Sequence, residues 1–317
     1  MAYSAGDPIL DDEYNTFVNS SSDPFGYNHF AGPGSGVYGL NQSTIATVSA
    51  GDTVNASSWN SLFTGMDNIA NHLNRSITAS SVSAGDTIAV RSALIGDLAN
   101  LAADVAAGGV NVTALGTNAV GSSTSASTYN TSATIERSVT FANNNTMRAF
   151  FNGGGKIRID PSVVTGIDGD KDTVFNDLTV TATGNLDVGA QASTRSGSGE
   201  TLTTNGLGNG FHDLGTGYTT LLKLTSDNSG YTSNTVEYSA KLDAAPGSAT
   251  VITVKMVATD AAGDDTFDSG NLSSVPTNPN EAPKITLALI EVFPNDSEGL
   301  AASIQSASNA EVSNSVS

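Results

Sequence analysis

Two hydrophobic periods divide the chain. In the first third, Leu62, Phe63, Met66, Ile69, Ala70 and Leu73 fall on one helical face, with Trp59 a turn earlier. Leu94, Ile95, Leu98, Leu101, Ala102 and Val105 repeat that stripe, so the spacing predicts a second amphipathic helix antiparallel to the first. From about residue 131 the period becomes two. Ile135, Arg137, Val139 and Phe141 alternate with Thr134, Glu136, Ser138 and Thr140. Met147, Ala149 and Phe151 share one side of the next run. Asn152-Gly153-Gly154-Gly155 interrupts it and Ile157 and Ile159 resume the alternation, which predicts two strands joined by a glycine turn. Further strands are expected at 178–182, 220–225, 235–242, 249–259 and 284–293. The fold class is α+β: an N-terminal extended arm and helical hairpin, followed by an antiparallel β-sandwich-like domain.

Turn-forming residues set the boundaries. Residues 1–47 scatter aromatic side chains among Pro8, Pro24, Pro33 and a Gly32-Pro33-Gly34-Ser35-Gly36 run, the pattern of an extended arm whose aromatics either pack back on the same chain or lie over a neighbouring subunit. The hairpin occupies 48–115 and carries a duplicated box, Val48-Ser49-Ala50-Gly51-Asp52-Thr53-Val54 and Val82-Ser83-Ala84-Gly85-Asp86-Thr87-Ile88. Asn55 is the expected N-cap of the first helix, and Gly108-Gly109 ends the second. Residues 116–130 read as a Gly/Ser/Thr linker, 131–300 as the β-rich domain, and 301–317 as a polar tail. Two helices alone bury their stripes poorly. Trp59, Leu62, Phe63, Met66, Ile69, Leu94, Leu98 and Leu101 are therefore expected either to dock on the β region or to form an assembly interface with the same hairpin in other subunits.

Charge narrows the function. Only 14% of the 317 residues are charged, and 31 acids against 12 bases leave a net charge of −19. Nucleic-acid affinity comes mainly from Lys and Arg displacing counterions, so a genome-binding role is excluded. The absence of cysteine removes disulfides, thiol catalysis and Cys-based zinc sites. No apolar run approaches the roughly 18 residues of a membrane span, and the first residues lack a secretion-signal pattern, so no membrane insertion is expected.

Candidate chemistry is sparse. His29, His72 and His212 lie far apart in sequence; no Gly-X-Ser-X-Gly elbow, Walker loop or Ser-X-X-Lys set is present, and no catalytic or cofactor-binding residue is expected. Asp168-Gly169-Asp170-Lys171-Asp172 has the alternating carboxylates of a calcium loop, which makes Asp168, Asp170 and Asp172 the metal candidates. Thr173 and Thr179 stand where such a loop needs its turn glycine and its bidentate Glu, so the match is incomplete. Asp260, Asp264, Asp265 and Asp268 form a second acidic group.

The run Met147-Arg148-Ala149-Phe150-Phe151-Asn152-Gly153-Gly154-Gly155-Lys156-Ile157-Arg158-Ile159 resembles a phrase of structural, tail-associated virion proteins of tailed bacteriophages of the marine and cyanophage type. The Gly-Asp-Thr box, Trp59-Asn60-Ser61-Leu62 and Ile69-Ala70-Asn71-His72 are similar to the same group. The resemblance implies a non-enzymatic virion protein, made in the host cytoplasm, whose partners are copies of itself, other virion proteins and a host surface. A tail fibre, collar or baseplate-peripheral component fits first; a capsid decoration protein and a host-binding adhesin or tailspike are the alternatives. Arg148, Lys156 and Arg158 gather scarce positive charge beside the glycine turn, either to dock a neighbour's acidic patch or to offset acidic side chains on adjacent strands.

Overall fold

The computed structural model describes residues 11–23, 25–84, 86, 91–112, 115–166, 169–261, 282–294, 300 and 308–317. They belong to two compact units. The first comprises Met1–Gly116, Asn144–Gly155 and Phe293–Gln305, and the second comprises Thr117–Asn143, Lys156–Val292 and Ser306–Ser317.

The first unit is helical. Helix α1 (Asp11–Asn19) opens on Asp11, Asp12 and Glu13, whose charges suit the positive end of the helix dipole, and buries Tyr14, Phe17 and Val18. Helix α2 (Tyr27–Ala31) buries Tyr27, Phe30 and Ala31. The extended arm expected over 1–47 is thus corrected for its described part. Its aromatics recur at helical spacing and fold back on their own chain, with the Tyr14 ring 5.2 Å and the Phe17 ring 6.0 Å from that of Trp59. Helix α3 (Ala56–His72) is capped by Asn55, whose Oδ1 accepts the Ser58 N–H at 3.0 Å. Helix α4 (Arg91–Ala106) ends where Gly108 and Gly109 take positive φ and donate to the Val105 and Asp104 carbonyls.

Both helical stripes close inside the chain. Trp59, Leu62, Phe63, Met66, Ile69, Leu94, Leu98 and Leu101 are at most 3% exposed. The assembly interface expected of these eight is therefore an intrachain core, because α1 and α2 supply the apolar partners that a bare hairpin lacks. The link between α3 and α4 is held from the second helix. Asp97 accepts from Thr78 N, Thr78 Oγ1 and Ala79 N at 2.7–3.1 Å, and Asp104 pairs with Arg75. Helix α5 (Asn144–Asn152) also belongs to this unit, although it interrupts the stretch expected to be the β-rich domain.

The second unit is a pair of antiparallel sheets, sandwich-like as expected. Strands β1 (Leu115–Thr124), β2 (Ser132–Thr140), β3 (Lys156–Val164), β4 (Leu186–Val188), β5 (Ser193–Arg195), β6 (Thr201–Asn205), β7 (Thr219–Thr225), β8 (Thr235–Leu242), β9 (Val251–Thr259), β10 (Lys284–Pro294) and β11 (Ser308–Val316) contribute. Their orders are β1-β10-β3-β4-β5 and β11-β2-β9-β8-β7-β6. In the larger sheet Ile135, Val139, Val236, Tyr238, Ala240, Ile252, Val254 and Met256 are fully buried, on strands where the sequence alternates cleanly.

Three expectations are corrected here. The linker expected over 116–130 is mostly the edge strand β1, and the described part of the polar tail is the edge strand β11, paired with β2 from Ser308↔Thr140 to Val316↔Ala133. Both are Ser/Thr/Asn-rich because a ladder's hydrogen bonds come from backbone, so an edge strand needs few apolar side chains. The strand expected over Leu178–Ala182 is a π-helix, Asp177–Thr183, which packs against β3 and against β7 and β8. Thr179 Oγ1 and Thr183 Oγ1 donate back to the Phe175 and Leu178 carbonyls, local bonds that compete with a sheet ladder.

The turn between β8 and β9 is fastened by Asp243, which accepts from Thr250 N at 2.9 Å, Val251 N at 3.0 Å and Thr250 Oγ1 at 3.0 Å. Burial acts to raise this carboxyl, and the hydrogen bonds from Val251 and Thr250 outweigh it, leaving the group below its ordinary value. A depressed carboxylate adds stability that is complete above the unfolded-state pKa of about 3.9 and is lost as pH falls through the lower folded value. Asp243→Asn should therefore flatten the acid limb of the urea midpoint between about pH 5 and pH 2. Parallel pH slopes in parent and variant would refute this account.

Candidate functional site

The run that carries the resemblance is not a strand pair. Its first half is α5, in which Thr146 through Asn152 are all buried. Met147, Phe150 and Phe151 satisfy helical i, i+3, i+4 spacing as well as the every-second-residue pattern contains Met147 and Phe151, and a run this short does not separate the two periods. The glycines then serve close approach. The Gly153, Gly154 and Gly155 N–H groups bond the Ala149, Phe151 and Phe150 carbonyls, and a Cβ on Gly155 would stand 2.5 Å from the Phe150 carbonyl oxygen. His72 Nε2 donates to the Gly153 carbonyl at 2.9 Å, which fixes the end of α3 on this turn.

The three cations of the run do not form an exposed docking patch. Arg148 is 4% exposed and donates from Nη1 to the Pro33 and Gly34 carbonyls at 2.7 and 2.9 Å and from Nη2 to Asn144 Oδ1 at 2.6 Å. Burial lowers its pKa. Arg158 forks onto Asp187 at 2.7 and 3.0 Å, and that hydrogen bonding raises its pKa. Lys156 is half-buried at the start of β3. Arg148 lies in the helical unit and the other two in the β-rich unit. The docking role expected of Arg148 and Arg158 is corrected: both are occupied within the chain.

The duplicated box has a shared geometry. Asn15 of α1 bonds both the N–H and the carbonyl of Val48 at 2.9 Å, and Asn60 of α3 bonds those of Val82 at 2.8 and 2.9 Å. In both boxes the Asp N–H returns to the Ser carbonyl at 3.0 Å, Asp52 to Ser49 and Asp86 to Ser83. Each leading valine is thus clamped by an asparagine of a helix earlier in the chain. A third, less obvious copy shares this spacing. Ser4-Ala5-Gly6-Asp7 precedes Tyr14-Asn15-Thr16-Phe17-Val18 at the same separation that Ser49-Ala50-Gly51-Asp52 precedes Trp59-Asn60-Ser61-Leu62-Phe63. Pro8 in place of Thr disguised it, and its box lies outside the described residues.

The strongest concentration of unusual chemistry is a buried charge centre in the β-rich unit. Helix α6 (Gly169–Asn176) turns Lys171, Val174 and Phe175 inward, all at most 2% exposed. Lys171 Nζ meets Asp260 Oδ2 at 2.8 Å, with the two side chains 0% and 1% exposed. Asp260 follows β9 directly, and its backbone is fixed by a bond from its N–H to the Thr131 carbonyl. The Tyr129 ring packs edge-on against Phe175 at 5.6 Å, and burial first, then the Asp260 charge, push its phenol pKa well up.

This centre replaces the calcium loop. Asp168 lies outside the described residues, as do Asp264, Asp265 and Asp268. Asp170 is exposed, whereas Asp172 is buried and accepts the Gly166 N–H. On a helix, residues two apart point to opposite sides, so Asp170 and Asp172 do not converge on one ion. Among the described residues no three His, Asp or Glu side chains gather around a common point. Of the other histidines, His29 stacks on Phe25 at 4.6 Å and His212 lies against Phe211 at 4.8 Å. No helix among the described residues is long and apolar enough to cross a membrane. Comparison with protein-family models, with curated proteins and with solved structures gives no match.

Proposed function

We propose that the chain is a non-enzymatic structural protein of a tailed-phage virion, tail-associated as a fibre, collar or baseplate-peripheral component. The observation that supports this reading most is what the resemblance-bearing residues do. Met147–Phe151, the glycine turn, Trp59, Leu62 and His72 all serve packing and close backbone approach, the work of a scaffold. Association with further copies or with other virion proteins then falls to the edges of the six-stranded sheet. There β6 is exposed throughout and uncharged, and β11 carries one charge, Glu311, and an exposed Val312. Edges without lysine or proline are open to pairing with another strand.

The test is to raise antibodies against the purified chain and label intact particles of the phage that encodes it. Gold at the tail, with the chain present at low copy number by quantitative mass spectrometry, is the expected result. Label over the whole shell at high copy number would favour capsid decoration, and absence from washed particles would overturn a virion role. A host-binding role would add attachment of the isolated chain to host cells.

A further inference from the structure

We infer that Lys171 and Asp260 are a self-modification site: amine and carboxyl, held 2.8 Å apart inside the β-rich unit, condense to an intramolecular Nζ–Cγ amide. The inference is independent of the virion reading. It rests first on burial. Side chains 0% and 1% exposed have lost their hydration, and a paired ammonium and carboxylate in such surroundings pay a desolvation penalty that their attraction offsets incompletely. A neutral amide carries neither charge. Burial also favours passage of one proton from Nζ to Oδ2 along the existing hydrogen bond, which leaves an amine with a free electron pair beside a neutral carboxyl group.

Position supplies the rest. Asp260 Cγ lies one C–O bond beyond the oxygen that Nζ already touches. Lys171 is fixed on α6 and Asp260 at the end of β9, so little freedom remains to be lost on the way to attack. The lone pair on Nζ forms the new bond to Cγ. The Cγ–Oδ2 bond breaks, and Oδ2 departs as water with the two hydrogens that nitrogen gives up; no oxidant, cofactor or activating group enters. The product tethers α6 to β9 across residues 171–260, which lie far apart in sequence.

Intact-mass spectrometry of the purified, denatured full chain tests this directly. The expected mass is one water below that of the sequence, and a protease digest should give a branched peptide joining Lys171 to Asp260. Lys171→Ala should restore the full sequence mass. The parent measurement is decisive even where the variant fails to fold. A parent chain at full mass would overturn the inference, and so would a water deficit that persists in Lys171→Ala, since dehydration would then lie elsewhere.

Discussion

Replacing Lys171 by alanine should destabilise the β-rich unit by about 3–5 kcal/mol, the range found when one partner of a buried pair is removed. The loss has three sources: the tether to Asp260, a hole where a long side chain was fully enclosed, and the Asp260 carboxylate left inside without Lys171. For a unit of this size the melting temperature should fall by on the order of 10 °C. The informative comparison is the double variant, Lys171→Met with Asp260→Leu. Removing both charges and refilling the space with apolar atoms avoids the uncompensated carboxylate, so the double variant should be more stable than Lys171→Ala or Asp260→Ala alone. Urea unfolding of the four proteins gives the ordering. Single variants at least as stable as the double would mean that an uncompensated buried charge is not what the single substitutions leave behind.

Why this centre escaped the sequence is instructive. Asp168-Gly169-Asp170-Lys171-Asp172 invites reading as a loop of carboxylates around an ion, with the lysine incidental. Yet Lys171, Val174, Phe175 and Leu178 follow i, i+3, i+4, i+7 spacing, so the stripe of a helix was present with a cation as its first member. Sequence arguments rarely place lysine in a core, because burial is affordable only with a partner, and that partner is brought by the fold from far along the chain. By contrast, α3, α4, their Asn55 cap and Gly108 stop, and the strands β2, β7, β8, β9 and β10 were legible, since each rests on local spacing and turn chemistry. The elements missed have two causes. β1 and β11 are held by backbone pairing with strands remote in sequence, and α1, α2 and α5 are short helices whose aromatic residues fit more than one period.

The helical unit also gives the repeat a physical meaning. An asparagine side chain presents an amide N–H donor beside a carbonyl acceptor, which matches the N–H and carbonyl of a single residue as a strand neighbour would. Asn15 on Val48 and Asn60 on Val82 therefore dock an irregular segment onto a helix side without a sheet. Asn28 of α2 does the same to Ile45, with bonds of 2.8 and 2.9 Å. Polar, low-complexity composition thus coexists with order here because amide side chains supply the pairing that apolar burial supplies elsewhere.

Arg148→Ala should cost the helical unit about 3 kcal/mol, since hydrogen bonds to a charged group contribute about 1.5–3 kcal/mol and the substitution strips several acceptors at once. The Pro33 and Gly34 carbonyls accept from one guanidinium nitrogen, and Asn144 Oδ1 from another. These carbonyls belong to a tight loop. Gly34 has φ of 64° and Gly39 φ of 118°, and a Cβ at either would meet the opposite backbone at 2.3–2.4 Å. The base of that loop is closed by N–H groups of Gly39, Leu40, Asn41 and Gln42 donating to the carbonyls of Phe30, Ala31 and Gly32. Loss of the guanidinium should therefore speed amide exchange at 39–42, the groups that close the loop, before it affects α4. Arg148→Lys keeps the charge but not the planar fork, so it should recover only part of the stability and of the protection. Unchanged exchange at 39–42 in Arg148→Ala would show that the loop closes without help from α5 and would reduce Arg148 to a space-filling residue of that helix.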